Sequence, residues 1–283
     1  MHRQWFESPY LRFRSQVIWQ KSRAFIIDPG VLPRDGEKLQ QFLKQQGLTV
    51  THLLFTHTHG DHFACWQYFP SATTAGGHAI LDKPETRKAN DVRYVYSIWR
   101  KFREKAPFEV TFPSLAIPLQ DGQQLLWEDT TIYYFRTPGH ATDHGIFICP
   151  EARWLFSGDM LIQIPQPFIL QGFLPYYRSL HKLRHLIQEW AVETVIPGHG
   201  PELHGLPIIL NQIEHERQYI EAVVNKAHVL LQNGYSLETI QQPLLEAFAL
   251  NGSVLHSHRV NVNTLLRELA HQPNHQLDLS LSS

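Results

Sequence analysis

The sequence predicts an α/β protein with a helical end, and three observations carry that expectation. Residues 24–55 read as a β-α-β unit, with an apolar strand closing at Ile27, a helix over 35–46 and a second strand from Val50 to Phe55. Short apolar segments bounded by turn residues then recur as far as Ile196. Beyond about residue 206, Ile209, Ile213, Ile220, Val224 and Ala227 repeat at helical spacing. The expected division is a domain over 1–205 and a helical appendage over 206–283.

The elements follow in order. Residues 16–30 read as a hairpin with a polar turn at Lys21–Arg23. Asp28-Pro29-Gly30 stops its second strand, because Pro29 has no amide proton for a ladder. The helix over 35–46 puts Leu39, Phe42 and Leu43 on one face and ends at Gly47. A short helix at Phe63–Tyr68 precedes a strand over Ser71–Ile80, with His78 inside it as a structural histidine. Residues 82–105 are polar and helix-compatible. Strands are expected at Phe108–Leu119, Gln124–Trp127, Thr131–Arg136, Ile146–Cys149, Trp154–Phe156 and Thr194–Ile196. An irregular loop, Pro165–Tyr177, leads to a helix over Ser179–Trp190 with Ser179 as its N-cap. In the tail, Asn233-Gly234 closes one helix, Ser236 caps a second, and Asn263–Ala270 ends a third. The last ten residues are polar and expected to fray.

Bulk composition narrows the classes. A chain of 283 residues with 43% hydrophobic and 18% charged residues has an ordinary globular core. Its net charge of −1 gives no global field that would select nucleic acid or a membrane. Cys65 and Cys149 lack metal-type spacing and read as reduced core thiols. No apolar run approaches the ~18–20 residues that span a bilayer, and MHRQWFESPYLRFRSQ lacks the apolar core of a signal peptide. A cytoplasmic protein is the expectation.

The chemistry gathers in LLFTHTHGDH, residues 53–62. An apolar strand empties into three histidines and an aspartate. His57 and His59 are two apart, so an extended backbone sends both imidazoles to one side. Gly60 permits a turn, after which Asp61 and His62 begin a second cluster. Nitrogen and carboxylate donors packed this densely suit zinc, iron or manganese better than calcium or magnesium.

HTHGDH matches the HxHxDH signature of the metallo-β-lactamase superfamily. TPGH at 137–140, FSGDM at 156–160 and IPGHG at 196–200 follow in that family's order, so the chain resembles its members over roughly the first two hundred residues. The resemblance implies an αββα sandwich holding two divalent metal ions, zinc first, with iron or manganese as alternatives. By the same resemblance His57, His59 and His140 hold one metal, Asp61, His62 and His199 hold the other, and Asp159 bridges them. Asp61 would orient a metal-bridging hydroxide and take its proton. His144, where glyoxalase-II-like relatives often carry a histidine, either assists catalysis or packs. Asp28 matches an aspartate that supports the ligands in the family; as a residue alone it caps a turn. Asp143 either orients an imidazole or is a solvated loop residue. The helical tail also resembles that of glyoxalase-II-like and nuclease-like members.

The implied activity is hydrolysis of a thioester, ester or lactone-like acyl bond on a small molecule. A phosphodiesterase or nuclease is the alternative, and an iron persulfide dioxygenase a more distant one. No GxSxG elbow signals a serine nucleophile. Tyr176, Tyr177 and Phe168 are candidates to line the pocket. Residues 82–105 carry eight basic groups (Lys83, Arg87, Lys88, Arg93, Arg100, Lys101, Arg103, Lys105) against four acidic ones. The segment reads as a lid, with Arg93, Arg100, Trp99, Tyr94 and Tyr96 meeting an anionic, partly aromatic substrate, or as a scaffold helix.

Overall fold

Segments rich in Val, Ile, Phe, Trp and Thr become strands, and parallel pairing buries both of their faces. The computed structural model describes residues 1–163, 167–248 and 250–280. Among them the first sheet runs β1 (His2–Glu7), β2 (Arg14–Gln20), β3 (Arg23–Ile27), β4 (Thr49–Phe55), β5 (Thr73–Gly77) and β6 (Ile117–Leu119) in that order. It is antiparallel from β1 to β3 and parallel from β3 to β6. Helix α1 (Pro33–Gln46) is the β3–β4 crossover, and Gly47 ends it in the left-handed region at φ 63°. The second sheet runs β7 (Gln124–Trp127), β8 (Thr130–Arg136), β9 (Gly145–Cys149), β10 (Trp154–Gly158), β11 (Thr194–Pro197) and β12 (Leu203–His204).

Two compact units, interleaved in sequence, make up the chain. The first comprises Met1–Arg136, Asp143–Gly158 and Ile196–Gly200; the second comprises Thr137–Thr142, Asp159–Val195 and Pro201–Ser283. The sequence led to the expectation of a single boundary near residue 205. The second unit also takes in residues 137–142 and 159–195, which were expected in the first domain.

In the first unit, alternation along the strands feeds two cores. Phe25, Ile27 and Leu54 face the second sheet's Trp127, Ile132, Tyr134, Phe147 and Phe156. Ala24, Ile26, Leu53 and Phe55 face Leu39 and Leu43 of α1 and Val95, Ile98 and Trp99 of α3 (Glu85–Lys101). Trp99 is 2% exposed, and its indole N–H donates to the Val31 carbonyl at 2.7 Å. Losing such a side chain from a core costs about 3–5 kcal/mol, so the inner face of α3 belongs to the core.

In the second unit, α4 (Phe173–Glu189) packs on α5 (Leu206–Gln232) and on α7 (Gly252–Ala270), and α6 (Gln241–Glu246) joins α5 to α7. No described helix is long and apolar enough to cross a membrane.

Several local expectations change. β1 was not anticipated. The helix expected at Phe63–Tyr68 is instead α2 (Gly60–Phe63) followed by a 3-10 turn at Trp66–Tyr68. His78 leaves the strand and opens a 3-10 turn, His78–Ile80. Of the strand expected over 108–119 only Ile117–Leu119 pairs; Phe108, Phe112 and Leu115 pack on the core without a ladder. Ser179 is not an N-cap, because α4 starts six residues earlier at Phe173. Its hydroxyl donates to the Pro138 carbonyl at 2.7 Å. The first amides of α4 are met from α7, where Glu268 accepts from Phe173 N at 2.5 Å and Leu174 N at 3.2 Å. Of the expected loop Pro165–Tyr177, Pro165 and Gln166 lie outside the described residues, as do 281–283 of the tail, and Phe173–Tyr177 are helical. Ser236 sits in a turn before α6 and is not its N-cap, while α7 ends at Ala270, where the third tail helix was expected to end.

Candidate metal centre

In the first unit, β4 delivers the motif and its neighbours orient it. Asp28 follows β3 at φ 51°. Its Oδ1 accepts from Thr56 N at 2.9 Å, and its Oδ2 accepts from the Thr56 hydroxyl at 2.7 Å and from His62 Nδ1 at 2.9 Å. A carboxylate only accepts, so His62 carries its proton on Nδ1 and presents Nε2 as the donor. His199 is set the same way: its Nδ1 donates to the Leu11 carbonyl at 3.0 Å, and its Nε2 lies 3.3 Å from Asp61 Oδ2. Arg14 N donates to Gly198 O at 2.7 Å and Gly200 N to Arg12 O at 3.1 Å, which pins the N-terminal segment beside His199. Phe13 packs edge-on against both rings, with centroids 4.9 Å from His62 and 5.3 Å from His199. Asp61, His62 and His199, all buried, place donor atoms within 4.8 Å of one another.

His57 and His59 share one side of the chain, with His57 Nε2 3.0 Å from His59 Nδ1. Thr58 between them turns the other way. Its amide donates to Asp143 Oδ2 at 3.0 Å and its hydroxyl donates to the same oxygen. Lys83 completes the clamp, donating to Thr58 O at 3.1 Å and Thr58 Oγ1 at 3.0 Å and pairing with Asp91 at 2.8 Å and Asp143 at 3.4 Å. Lys83, counted above among the basic groups of a lid, is thus a buried strut. Asp143 is fully buried, not a solvated loop residue. Burial opposes its charge, but the Lys83 ammonium and the Thr58 hydroxyl hold its carboxyl below the usual range. Burial also pushes the Asp91 carboxyl up to about 6, against Lys83's pull. His144 is fully buried, its ring centroid 5.0 Å from that of His57. Gly158 passes it at φ 53°, where a Cβ would lie 2.7 Å from His144 Nε2 and 2.8 Å from Thr56 Oγ1.

The second unit holds His140 and Asp159. His140 Nδ1 donates to the Phe168 carbonyl at 2.7 Å, and its Nε2 lies 3.3 Å from Asp159 Oδ2. Gly139 before it has φ 129°, and a Cβ there would meet Tyr176 Cα at 2.3 Å. Three histidines (62, 140 and 199) therefore give one nitrogen's proton to a protein oxygen and turn the other nitrogen to a site with a buried carboxylate. That donor chemistry fits divalent transition metals.

The model of the Metallo-beta-lactamase superfamily matches residues 15–199. The chain belongs to the metallo-β-lactamase superfamily. A metallo-beta-lactamase family protein from Thermus thermophilus has the same fold at 19% identity, with a TM-score of 0.67 over 95% of this chain and 93% of that one. The lactamase-like protein notP of Aspergillus sp. (strain MF297-2) is 24% identical over 74% of this chain and 57% of its own length. A hydroxyacylglutathione hydrolase of Hahella chejuensis (strain KCTC 2396) is 27% identical over 63% of this chain and 60% of its own. The chain spans about half the length of several curated relatives it matches. The superfamily binds two metals per site, and the His/Asp donor set here agrees with that.

The candidate pocket residues fare differently within the superfamily fold. Trp99 is core, and Tyr96 is spent on the Val110 amide, 2.9 Å from its hydroxyl. Tyr94 is 42% exposed and hydrogen-bonds to Tyr10. Arg93 and Arg100 are exposed on α3. Tyr176 is fully buried, its hydroxyl donating to Glu216 at 2.9 Å, so it lines no open surface. Tyr177 is 5% exposed and donates to Glu221 at 2.5 Å. A signal for α3 was present: Val92, Val95, Tyr96, Trp99 and Phe102 follow helical spacing and mark its inner face.

Glu216, which sequence reasoning did not single out, is fully buried between Tyr176 and Gln212, and burial pushes its carboxyl up to about 7. An acid whose folded pKa is raised loses its proton first in the unfolded chain. Stability should therefore fall as pH rises from about 4.5 to about 7, by roughly 3 kcal/mol, and level off above. Glu216→Gln should flatten that window, as read from urea midpoints measured at several pH values. An unchanged slope in the variant would assign it to other groups.

Proposed function

We propose that this chain is a metal-dependent hydrolase that cleaves a thioester, ester or lactone-like acyl bond. The observation that carries the reading is the full donor set, each half built by its own unit. The first unit orients His57, His59, Asp61, His62 and His199, and the second orients His140 and Asp159. In the superfamily's arrangement His57, His59 and His140 would hold one cation, Asp61, His62 and His199 the other, with Asp159 shared. Two such cations, zinc first, with iron or manganese as alternatives, would supply Lewis-acid chemistry to a hydrolysis there. A persulfide dioxygenase would use only a 2-His-1-carboxylate subset.

The chain's own groups then have distinct tasks. Asp61 Oδ2, fixed against His199, orients the attacking water and accepts its proton. Asp28 and the Leu11 carbonyl keep His62 and His199 in one tautomer. Lys83 and Asp143 hold Thr58, so His57 and His59 stay on one side. His144 packs beside His57 and limits its movement. The hydroxyacylglutathione hydrolase relative makes an acyl thioester the first bond to test. The exposed Arg93 and Arg100 are the support for an anionic substrate, so charged and neutral thioesters belong in the same panel.

Purified protein, analysed for metal, should hydrolyse thioesters faster than phosphodiesters. The reverse order would move the chain to the phosphodiesterase reading. Asp61→Ala should leave a folded protein whose kcat falls by ~10²-fold or more. Metal content must be measured beside it, since near-normal turnover at full loading removes Asp61 from proton handling.

A further inference from the structure

We propose that Asn261, on the tail helix α7, is a positioning residue for His140, acting through the backbone of residues 167–169. The inference rests on His140 being a metal ligand.

Asn261 is fully buried on a helix face that it shares with His258, Val262, Leu265 and Leu269, a place where an amide survives only if its hydrogen bonds are met. All three that the structure gives it are well formed. Its Oδ1 accepts from Ile169 N at 2.9 Å, and its Nδ2 donates to the Pro167 carbonyl at 2.7 Å and to the Tyr219 hydroxyl at 2.9 Å. Ile169 N must donate and Pro167 O must accept, so only one orientation of the amide satisfies both.

Those two loop bonds bracket Phe168, whose carbonyl takes the His140 Nδ1 proton at 2.7 Å. The Ile169 N–H and the Phe168 C=O belong to one planar peptide unit and point in opposite directions. Asn261 therefore grips one side of the plane while His140 is held by the other. If the plane rotates, the acceptor swings away and Nδ1 no longer fixes which nitrogen of His140 is free. The remaining Asn261 bond points away from the loop, to the Tyr219 hydroxyl, which lies 2.8 Å from His258 Nδ1.

Zn2+ affinity of the full-length protein, measured by competition with a chromophoric chelator, tests this without an assay of turnover. Asn261→Ala should weaken zinc binding by ~10–100-fold, the usual effect of losing a group that orients a ligand. Asn261→Asp, which keeps an acceptor for Ile169 N but cannot donate to Pro167 O, should fall between that variant and wild type, and serves if the alanine variant does not fold. Tyr219→Phe is the control. It removes a buried hydrogen bond from the same cluster and leaves both loop bonds, so it should lower Tm with zinc affinity within about threefold of wild type. Equal losses of affinity in Tyr219→Phe and the Asn261 variants would reduce Asn261 to an ordinary structural residue. So would wild-type affinity in the Asn261 variants beside a large loss in His140→Ala. Wild-type affinity in His140→Ala would overturn the ligand reading of His140 itself.

Discussion

His57→Ala is expected to abolish hydrolysis and to lower bound metal measurably, the largest effect of any single substitution in this chain. His57 is fully buried, and its Nε2 meets the His59 nitrogen at 3.0 Å. A methyl group there leaves one donor short, and the Thr58 clamp keeps the backbone from bringing another side chain in. Asp159→Asn should be comparably damaging, because an amide cannot share a negative charge between two cations. Metal analysis and turnover on the same preparations check both, with circular dichroism to show that the fold persists. Full turnover in protein shown to be metal-free would end the metallohydrolase reading.

Removing residues 206–283 is expected to be nearly as severe, although the sequence by itself drew a domain boundary there. Helix α4 buries Phe173, Tyr176, Tyr177, Leu180, Leu183, Leu186 and Ile187, and it packs on α5 and α7. Each such side chain returned to water costs about 1.5–3 kcal/mol. Uncovering three or four would consume most of the ~5–15 kcal/mol that a domain has. The truncation also deletes Glu268 from the start of α4 and Asn261 from the loop whose carbonyl holds His140. The shortened chain should aggregate or melt well below the full one and bind less metal. A soluble 1–205 fragment with full metal content would show that the tail is an addition to a finished domain.

Much of the centre is legible in the residues alone. The two-residue period of an extended chain places His57 and His59 together and Thr58 opposite, and the hydrogen bonds of Thr58 to Asp143 agree. Gly47 is readable as a helix terminator because a left-handed residue is needed there. Less legible is α3. Its net positive charge invites a lid, yet charge count reports only the outer face of a helix. The phase of Val92, Val95, Tyr96, Trp99 and Phe102 decides which way the aromatics point.

By itself, the sequence placed His57, His59, Asp61 and His62 at the end of an apolar strand, because periodicity and turn chemistry are local; His140, Asp159 and His199 joined them as candidate ligands only through the family resemblance. Only the tertiary structure decided which nitrogen His62, His140 and His199 present. The Leu11 carbonyl that sets His199 lies 188 residues away in the chain, and the Phe168 carbonyl that sets His140 lies 28 away. Every residue has a backbone carbonyl, so no residue type marks the one that will orient a ligand. The same holds for Glu268 at the start of α4 and Asn261 beside the loop. Their side chains act on amides and carbonyls that come near only when α7 packs.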